Sequence, residues 1–100
     1  MNIIMPMDGA DIEESKISVV HEAKAWLYFE MHEGRMINEK FYDKKEDIEN
    51  FAEIVIVSSD KEDVWPFMEE GIAVLVAPMQ RYVEDIVEAY IFKELHDLNQ

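Results

Sequence analysis

Ile54-Val55-Ile56-Val57 and Ile72-Ala73-Val74-Leu75-Val76 are two fully apolar runs, separated by a stretch that begins polar at Ser58 and ends at Gly71. Four or five consecutive apolar residues without alternation describe a strand covered on both faces, as in a parallel sheet. Parallel neighbours need a crossover, normally helical, and that crossover is right-handed. Ser59 and Glu62 have capping-box spacing, in which each side chain satisfies a backbone N–H of an opening helical turn. Pro66 would remove a hydrogen bond from a helix interior, so the regular helix is expected to start near Val64 or Trp65, with Pro66 in its first turn. Val64, Phe67 and Met68 then face inward. Gly71 supplies a left-handed terminus, and Pro78 closes the second strand. This βαβ unit makes the fold α/β.

Toward the N-terminus, Lys44 to Phe51 fits a short helix with Ile48 and Phe51 inward. Before it, Ala25–Met31 is aromatic and β-prone, His32-Glu33-Gly34 offers a turn, and Arg35 to Tyr42 returns as a second strand. Ile37 and Phe41 alternate there with Asn38, Lys40 and Tyr42, which predicts one buried face. Residues 12–24 are irregular, with Ile12, Ile17, Val19 and Val20 available to tuck inward. Asn2 to Met7 reads as a strand that stops at Asp8-Gly9-Ala10-Asp11. Pro6 has no N–H and therefore belongs near the strand's end. Toward the C-terminus, Val83, Ile86, Val87, Tyr90, Ile91, Leu95 and Leu98 follow the i, i+3, i+4, i+7 spacing of an amphipathic helix. Glu84 and Asp85 fall in its early turns, where the helix dipole favours negative charge. The predicted order is β, β-hairpin, α, β, α, β, α.

One hundred residues suit a single domain spanning 1–100. Twenty-three acidic residues against nine basic ones give a formal net charge of −14. Such a surface repels phosphate backbones and anionic headgroups, so neither nucleic acid nor membrane is an expected partner. Lys44-Lys45 is the densest basic spot. The absence of cysteine excludes disulfides and thiolate ligands from this chain. No apolar run approaches the ~20 residues of a membrane helix, and no signal peptide is visible, so the cytoplasm is the expected location.

Ile3-Ile4-Met5-Pro6-Met7-Asp8-Gly9, Ser15-Lys16-Ile17-Ser18, Trp26-Leu27-Tyr28-Phe29, Glu69-Glu70-Gly71-Ile72-Ala73-Val74 and the terminal helix together carry a family signal. They resemble the dinitrogenase iron–molybdenum cofactor biosynthesis family, the NifX-like domains also found at the C-terminus of the NifB radical enzyme. The resemblance covers nearly the whole chain. It implies a ribonuclease-H-like fold with a five-stranded mixed sheet in order 3-2-1-4-5 and flanking helices. It also implies a ligand, an iron–sulfur or iron–molybdenum cofactor precursor. After the serine matching Ser18, the family continues x-His-Phe-Gly, whereas this chain has Val19-Val20-His21-Glu22. Val20 thus stands at the histidine position and Glu22 at the glycine. Ser58-Ser59-Asp60-Lys61 replaces a glycine-containing loop, and Asp43-Lys44-Lys45-Glu46 shortens a glycine- and histidine-rich segment.

Carried onto this sequence, the cofactor-binding candidates are His21, Asp8 and Ser59, and the metal-ligand candidates are His21 and Glu22. By residue type, His21 has Glu13, Glu14 and Glu22 nearby in sequence, and imidazole with carboxylates can hold a divalent metal. Glu22 in the glycine position adds bulk and negative charge where an anionic cluster would approach. His32 and His96 are assigned to a hairpin turn and to the end of the last helix. Met5 and Met7 share one strand face and read as core fillers. Only Asp8 stands at the end of the first strand, and no paired acid/base or nucleophile constellation is discernible. Trp26, Tyr28, Trp65, Phe67 and Phe92 could leave aromatic surface exposed, with Phe92 on the last helix available to a protein partner or a second copy as a homodimer. The sequence therefore predicts a non-enzymatic accessory domain, either a protein-interaction module or a degenerate cofactor-binding one. The alternative is a carrier of the cofactor precursor or a metal ion through His21 and neighbouring carboxylates.

Overall fold

The computed structural model describes residues 1–98. Its strands are β1 (Asn2–Met7), β2 (Ala25–His32), β3 (Arg35–Tyr42), β4 (Ile54–Val57), β5 (Ala73–Val76) and β6 (His96–Asp97). Two α-helices, α1 (Trp65–Glu69) and α2 (Val83–Ile91), follow β4 and β5. The strands form one open mixed sheet in the order β3-β2-β1-β4-β5-β6. β1 is antiparallel to β2 and parallel to β4, β4 is parallel to β5, and β5 is antiparallel to β6.

The central strands are buried on both faces because their side chains alternate between two cores. Ile54 and Ile56 join Ile3, Met5, Met7, Leu27 and Phe29 under Val83 and Ile86 of α2. Val55 and Val57 join Ile4, Trp26, Tyr28, Val74 and Val76 under Phe67 of α1. The unbroken apolar runs thus feed two cores at once. Trp26 and Phe67 stack at 6.2 Å between ring centroids, tilted by 48°. Tyr28 donates to Glu30 Oε2 at 2.9 Å, and burial, with help from that carboxylate, pushes its phenol up to about 12.

The crossover helix begins late, as Pro66 requires, with proline in its first turn and Gly71 at φ +79° closing it. The capping box does not form. Val64 occupies the N-cap without a side-chain bond, and Ser59 Oγ instead accepts from the Lys61 N–H at 3.0 Å.

Further expectations are corrected. The sheet has six strands rather than five, because the last helix is shorter than its apolar spacing suggests. α2 stops at Ile91, where Lys93 adopts φ +58°, the Lys93 N–H reaches Tyr90 O and the Glu94 N–H reaches Ala89 O at 2.8 Å. That is a Schellman termination with lysine where glycine is usual, so no glycine announces it in the sequence. Leu95 then packs into the α2-side core, His96 and Asp97 pair with Val76 and Leu75, and Leu98 reaches the α1-side core.

The helix expected from Lys44 to Phe51 is a single 3₁₀ turn, Lys45–Asp47. Eight residues without a cap repay helix nucleation poorly. Tertiary bonds draw the following segment straight instead: Asn2 Nδ2 donates to Phe51 O, the Asn2 N–H donates to the Glu53 carboxylate, and the Glu53 N–H donates to Asn2 O. Ile48 packs partly inward, but Phe51 is 69% exposed.

In β3 the inward residue is Met36 rather than Ile37, which is exposed. Tyr28 pairs with Lys40 and Glu30 with Ile37, so Asn38 and Glu39 together oppose Phe29. Asn38 takes φ +55° at this bulge and donates to Glu30 Oε1. One extra residue flips the phase, which puts Met36 and Phe41 on the same face.

Among the described residues no helix is long and apolar enough to cross a membrane.

Candidate functional site

The sheet changes direction at β1, which has an antiparallel neighbour on one side and a parallel one on the other. In open α/β sheets ligands bind beyond the carboxyl ends of the strands at such a reversal. Asp8, the turn around His21, and Ser59 follow the ends of β1 and β4, so the expected site residues belong to this end of the molecule. Each of the loops there is tied to the backbone.

Asp8 Oδ1 accepts from the Lys16 N–H at 2.8 Å, while its own N–H donates to Lys16 O. Residues 16–18 are thereby held between Met7, which pairs with Ile17, and Tyr82, which pairs with Lys16. The next turn is closed by Asp11, whose Oδ1 accepts from the Glu13 and Glu14 N–H groups, both at 2.9 Å. The bonds from Glu14 and then Glu13 hold the Asp11 carboxyl below its ordinary value. Ser15 Oγ accepts from the Asp11 N–H and lies buried against Gly9, where a Cβ would approach that oxygen to 3.0 Å. A side chain at position 9 would be accommodated only if Ser15 gave way by a few tenths of an ångström.

His21 and Glu22 lie on one 3₁₀ turn, Val20–Glu22, and point to solvent. Their side chains are 82% and 69% exposed, and Nε2 and Oε2 are 3.9 Å apart. Ser59 Oγ serves its own loop. The four candidates thus share an end of the sheet, but nothing draws their side chains into one cluster. Among the described residues no three His, Asp or Glu side chains are grouped so as to hold an ion. With no thiolate in the sequence and an imidazole in open solvent, the donor set does not fit an iron–sulfur or iron–molybdenum cluster.

Two residues at this end matter in ways the sequence reading missed. Glu62 accepts from the Val20 N–H through both carboxylate oxygens, at 3.2 and 3.3 Å, and from Ser58 Oγ. It joins the loop after β4 to the turn that carries His21. Arg81 donates to the carbonyls of Ala77, Pro78 and Gln80, and its own carbonyl accepts from the Ile17 N–H. The acid four residues beyond Ser58, and an arginine as the one charged residue between β5 and α2, were the available signals.

The opposite end of the sheet is open. Where α2 stops short, a cavity of about 790 Å³ lies between its last turn, the start of β1 and the tip of the β2–β3 hairpin. Met1, Met31, Leu75, Tyr90 and Leu95 supply its apolar surface. Tyr90 is half-buried, and burial, with the Glu53 carboxylate adding to it, pushes its phenol up, so it remains a neutral O–H donor. Ile91 lines it too and is exposed, and Phe92, the next residue, is 67% exposed.

No protein-family model matches the sequence, and no curated protein does. Solved structures do. A protein from Methanocaldococcus jannaschii, provisionally named a dinitrogenase, superposes with a TM-score of 0.73 at 18% identity, covering 100% of this chain and 96% of its own. A Thermotoga protein provisionally named a NifB protein, of the DUF35 family, superposes with a TM-score of 0.71 at 16% identity, over 99% of this chain and 94% of its own. The fold is theirs. At these identities the likeness extends to the arrangement of the chain from end to end. The strand order 3-2-1-4-5 expected from the resemblance is present within the six-stranded sheet.

Proposed function

We propose that this chain is a non-enzymatic accessory domain related to the nitrogenase iron–molybdenum cofactor biosynthesis proteins, and that it works by contacting another protein in the cytoplasm rather than by holding a cluster. The observation that carries this reading is the contrast between the two ends of the sheet. In the loops where a ligand would be expected, Asp8, Ser59 and Glu62 are engaged by backbone groups, whereas the far end presents an apolar cavity whose lining includes the exposed Ile91, with Phe92 exposed next to it in sequence. Exposed apolar surface of this kind marks contact sites. The ribonuclease-H-like ancestry implied by the resemblance accords with the strand order and needs no nuclease chemistry, since the carboxylates of such a centre are missing from β1.

The competing reading is a carrier of the cofactor precursor, which the likeness to the protein named NifB favours. Purification under anoxic conditions separates the two. The interaction reading expects protein without stoichiometric iron or visible absorbance, and no tight binding when the cofactor precursor is titrated in. Tight binding that His21→Ala removes would establish the carrier instead.

A further inference from the structure

We infer that residues 43–50 form a strap, pinned by Lys45 across the α1 side of the sheet, which lifts to open a second cavity beneath it. The inference does not depend on the interaction reading.

The ends of the strap are fixed and its middle is not. At one end Tyr42 pairs with Trp26, and at the other Phe51 O accepts from Asn2 Nδ2. Between them, among the described residues, the backbone bonds are internal to the strap. The Asp47 N–H reaches Lys44 O, and the Ile48 N–H reaches Lys45 O. Six of the eight residues are exposed, and only Lys45 and Ile48 are half-buried. Ile48 packs against the α1-side core. A segment with no backbone bonds to the body and two anchoring side chains opens without global unfolding.

Lys45 ties the strap to α1. Its Nζ lies 5.2 Å from the centroid of the Phe67 ring and 3.8 Å from Glu70 Oε2. Phe67 is itself buried against Trp26, so the ring is a fixed platform. The ion pair is longer than a hydrogen bond and partly solvated, so the ring face carries more of the attachment than the carboxylate does. Residues 43–50 carry four acids and two lysines, and α1 is followed directly by Glu70 after ending on Glu69. Without Lys45 an acidic strap would lie against an acidic helix end.

The cavity between strap and sheet holds about 530 Å³, and its lining includes Ile4, Ile48, Ala52 and Ile72 together with Lys45 and Glu70. The ion pair is therefore part of the wall. Protein interiors are close-packed, so a space of this size marks a contact that is bridged rather than filled. Lifting the strap exposes Ile4 and Ile72, both buried while it is down.

The chain contains no cysteine, so a single introduced thiol reports the opening. Ala52→Cys places it in the cavity wall, and Ala89→Cys, buried in α2, reports unfolding elsewhere. Each is alkylated with iodoacetamide, an uncharged reagent, in the full chain with and without substitutions at the pin. Lys45→Met keeps an apolar stem and removes the charge, and should accelerate alkylation at position 52 by about tenfold. Glu70→Gln removes only the ion pair and should accelerate it by about twofold. Lys45→Arg keeps a cation over the ring and should restore the parent rate. Position 89 should not respond to any of them. A rate at position 52 indifferent to Lys45→Met, or equal in the parent to that of an unstructured peptide thiol, would overturn the inference. Equal acceleration at positions 52 and 89 would overturn it too, because the lysine would then support the whole fold rather than hold one segment.

Discussion

The two ends of this sheet use their polar side chains in opposite ways. At the carboxyl ends of β1, β4 and β5, Asp8, Asp11 and Arg81 bond backbone groups of their own loops, and Glu62 bonds the backbone of the neighbouring one. At the other end, Glu33, Lys93 and His96 stand around an apolar cavity. Loops that cross between strand ends leave many N–H and C=O groups without ladder partners, and buried ones must be satisfied. Where side chains provide that satisfaction, the surface is closed to ligands. Where a helix merely ends early, apolar surface is left over.

Ile86→Ala strikes the wall common to both ends, since Ile86 is fully buried beneath α2. A loss of about 2–5 kcal/mol is expected in urea unfolding, with backbone exchange increasing along α2. A loss below 1 kcal/mol would mean that α2 is not the element holding the sheet's face.

Arg81→Ala should cost about 2 kcal/mol, because three carbonyls lose a charge-assisted donor at once. Its effect should be concentrated in residues 16–18, whose Ile17 N–H depends on the same loop, and the groove should not change. Equal disturbance at both ends would erase the distinction drawn between them.

Lys93→Gly is expected to change stability in the opposite direction, by about 1 kcal/mol, because the left-handed conformation at φ +58° strains any side chain and suits glycine. A destabilised variant would indicate that the lysine side chain secures the α2 terminus by a contact worth more than the strain.

The smallest effect expected is the response of the closed end to acid. Asp11 is held below its ordinary value of 3.8 by the Glu14 and Glu13 amides, so its ionised form contributes stability above that pH and loses it as pH falls through the lowered value. Amide exchange at Glu13 and Glu14 should therefore accelerate below pH 3.8, before the amides of Lys93 and Glu94 respond. Simultaneous loss at both places would show global unfolding instead of local release.

Much of the architecture was legible in residue order. Ile54–Val57 and Ile72–Val76 announced parallel strands, the first buried on both faces and the second only half-buried on the face of Ala73 and Leu75, Pro66 fixed where the crossover helix starts, and Gly71 fixed where it ends. Those signals are local: each depends on what a residue's own backbone permits or on which faces its neighbours expose. The candidate site was legible only as a position. Asp8, His21, Glu22 and Ser59 do belong to loops at the carboxyl end of the sheet, but Asp8 and Ser59 each serve their own loop while His21 and Glu22 face solvent, and spacing alone could not show that they stay apart.

The end of α2 shows where such reading stops. Leu95 and Leu98 continue the helical spacing from Ile91, and the same two apolar residues also suit an edge strand that touches both cores. Periodicity alone could not choose between these outcomes. A left-handed Lys93 and hydrogen bonds to β5 decided it, because the edge of β5 offered backbone partners that a longer helix would have left unused. Composition and pattern determined the class of fold, the two-sided core and the acidic surface, since these follow from burying apolar residues and solvating charged ones. Tertiary structure decided the sixth strand, the closing of one end and the groove at the other, since each depends on which distant backbone group a side chain or strand edge finds within reach.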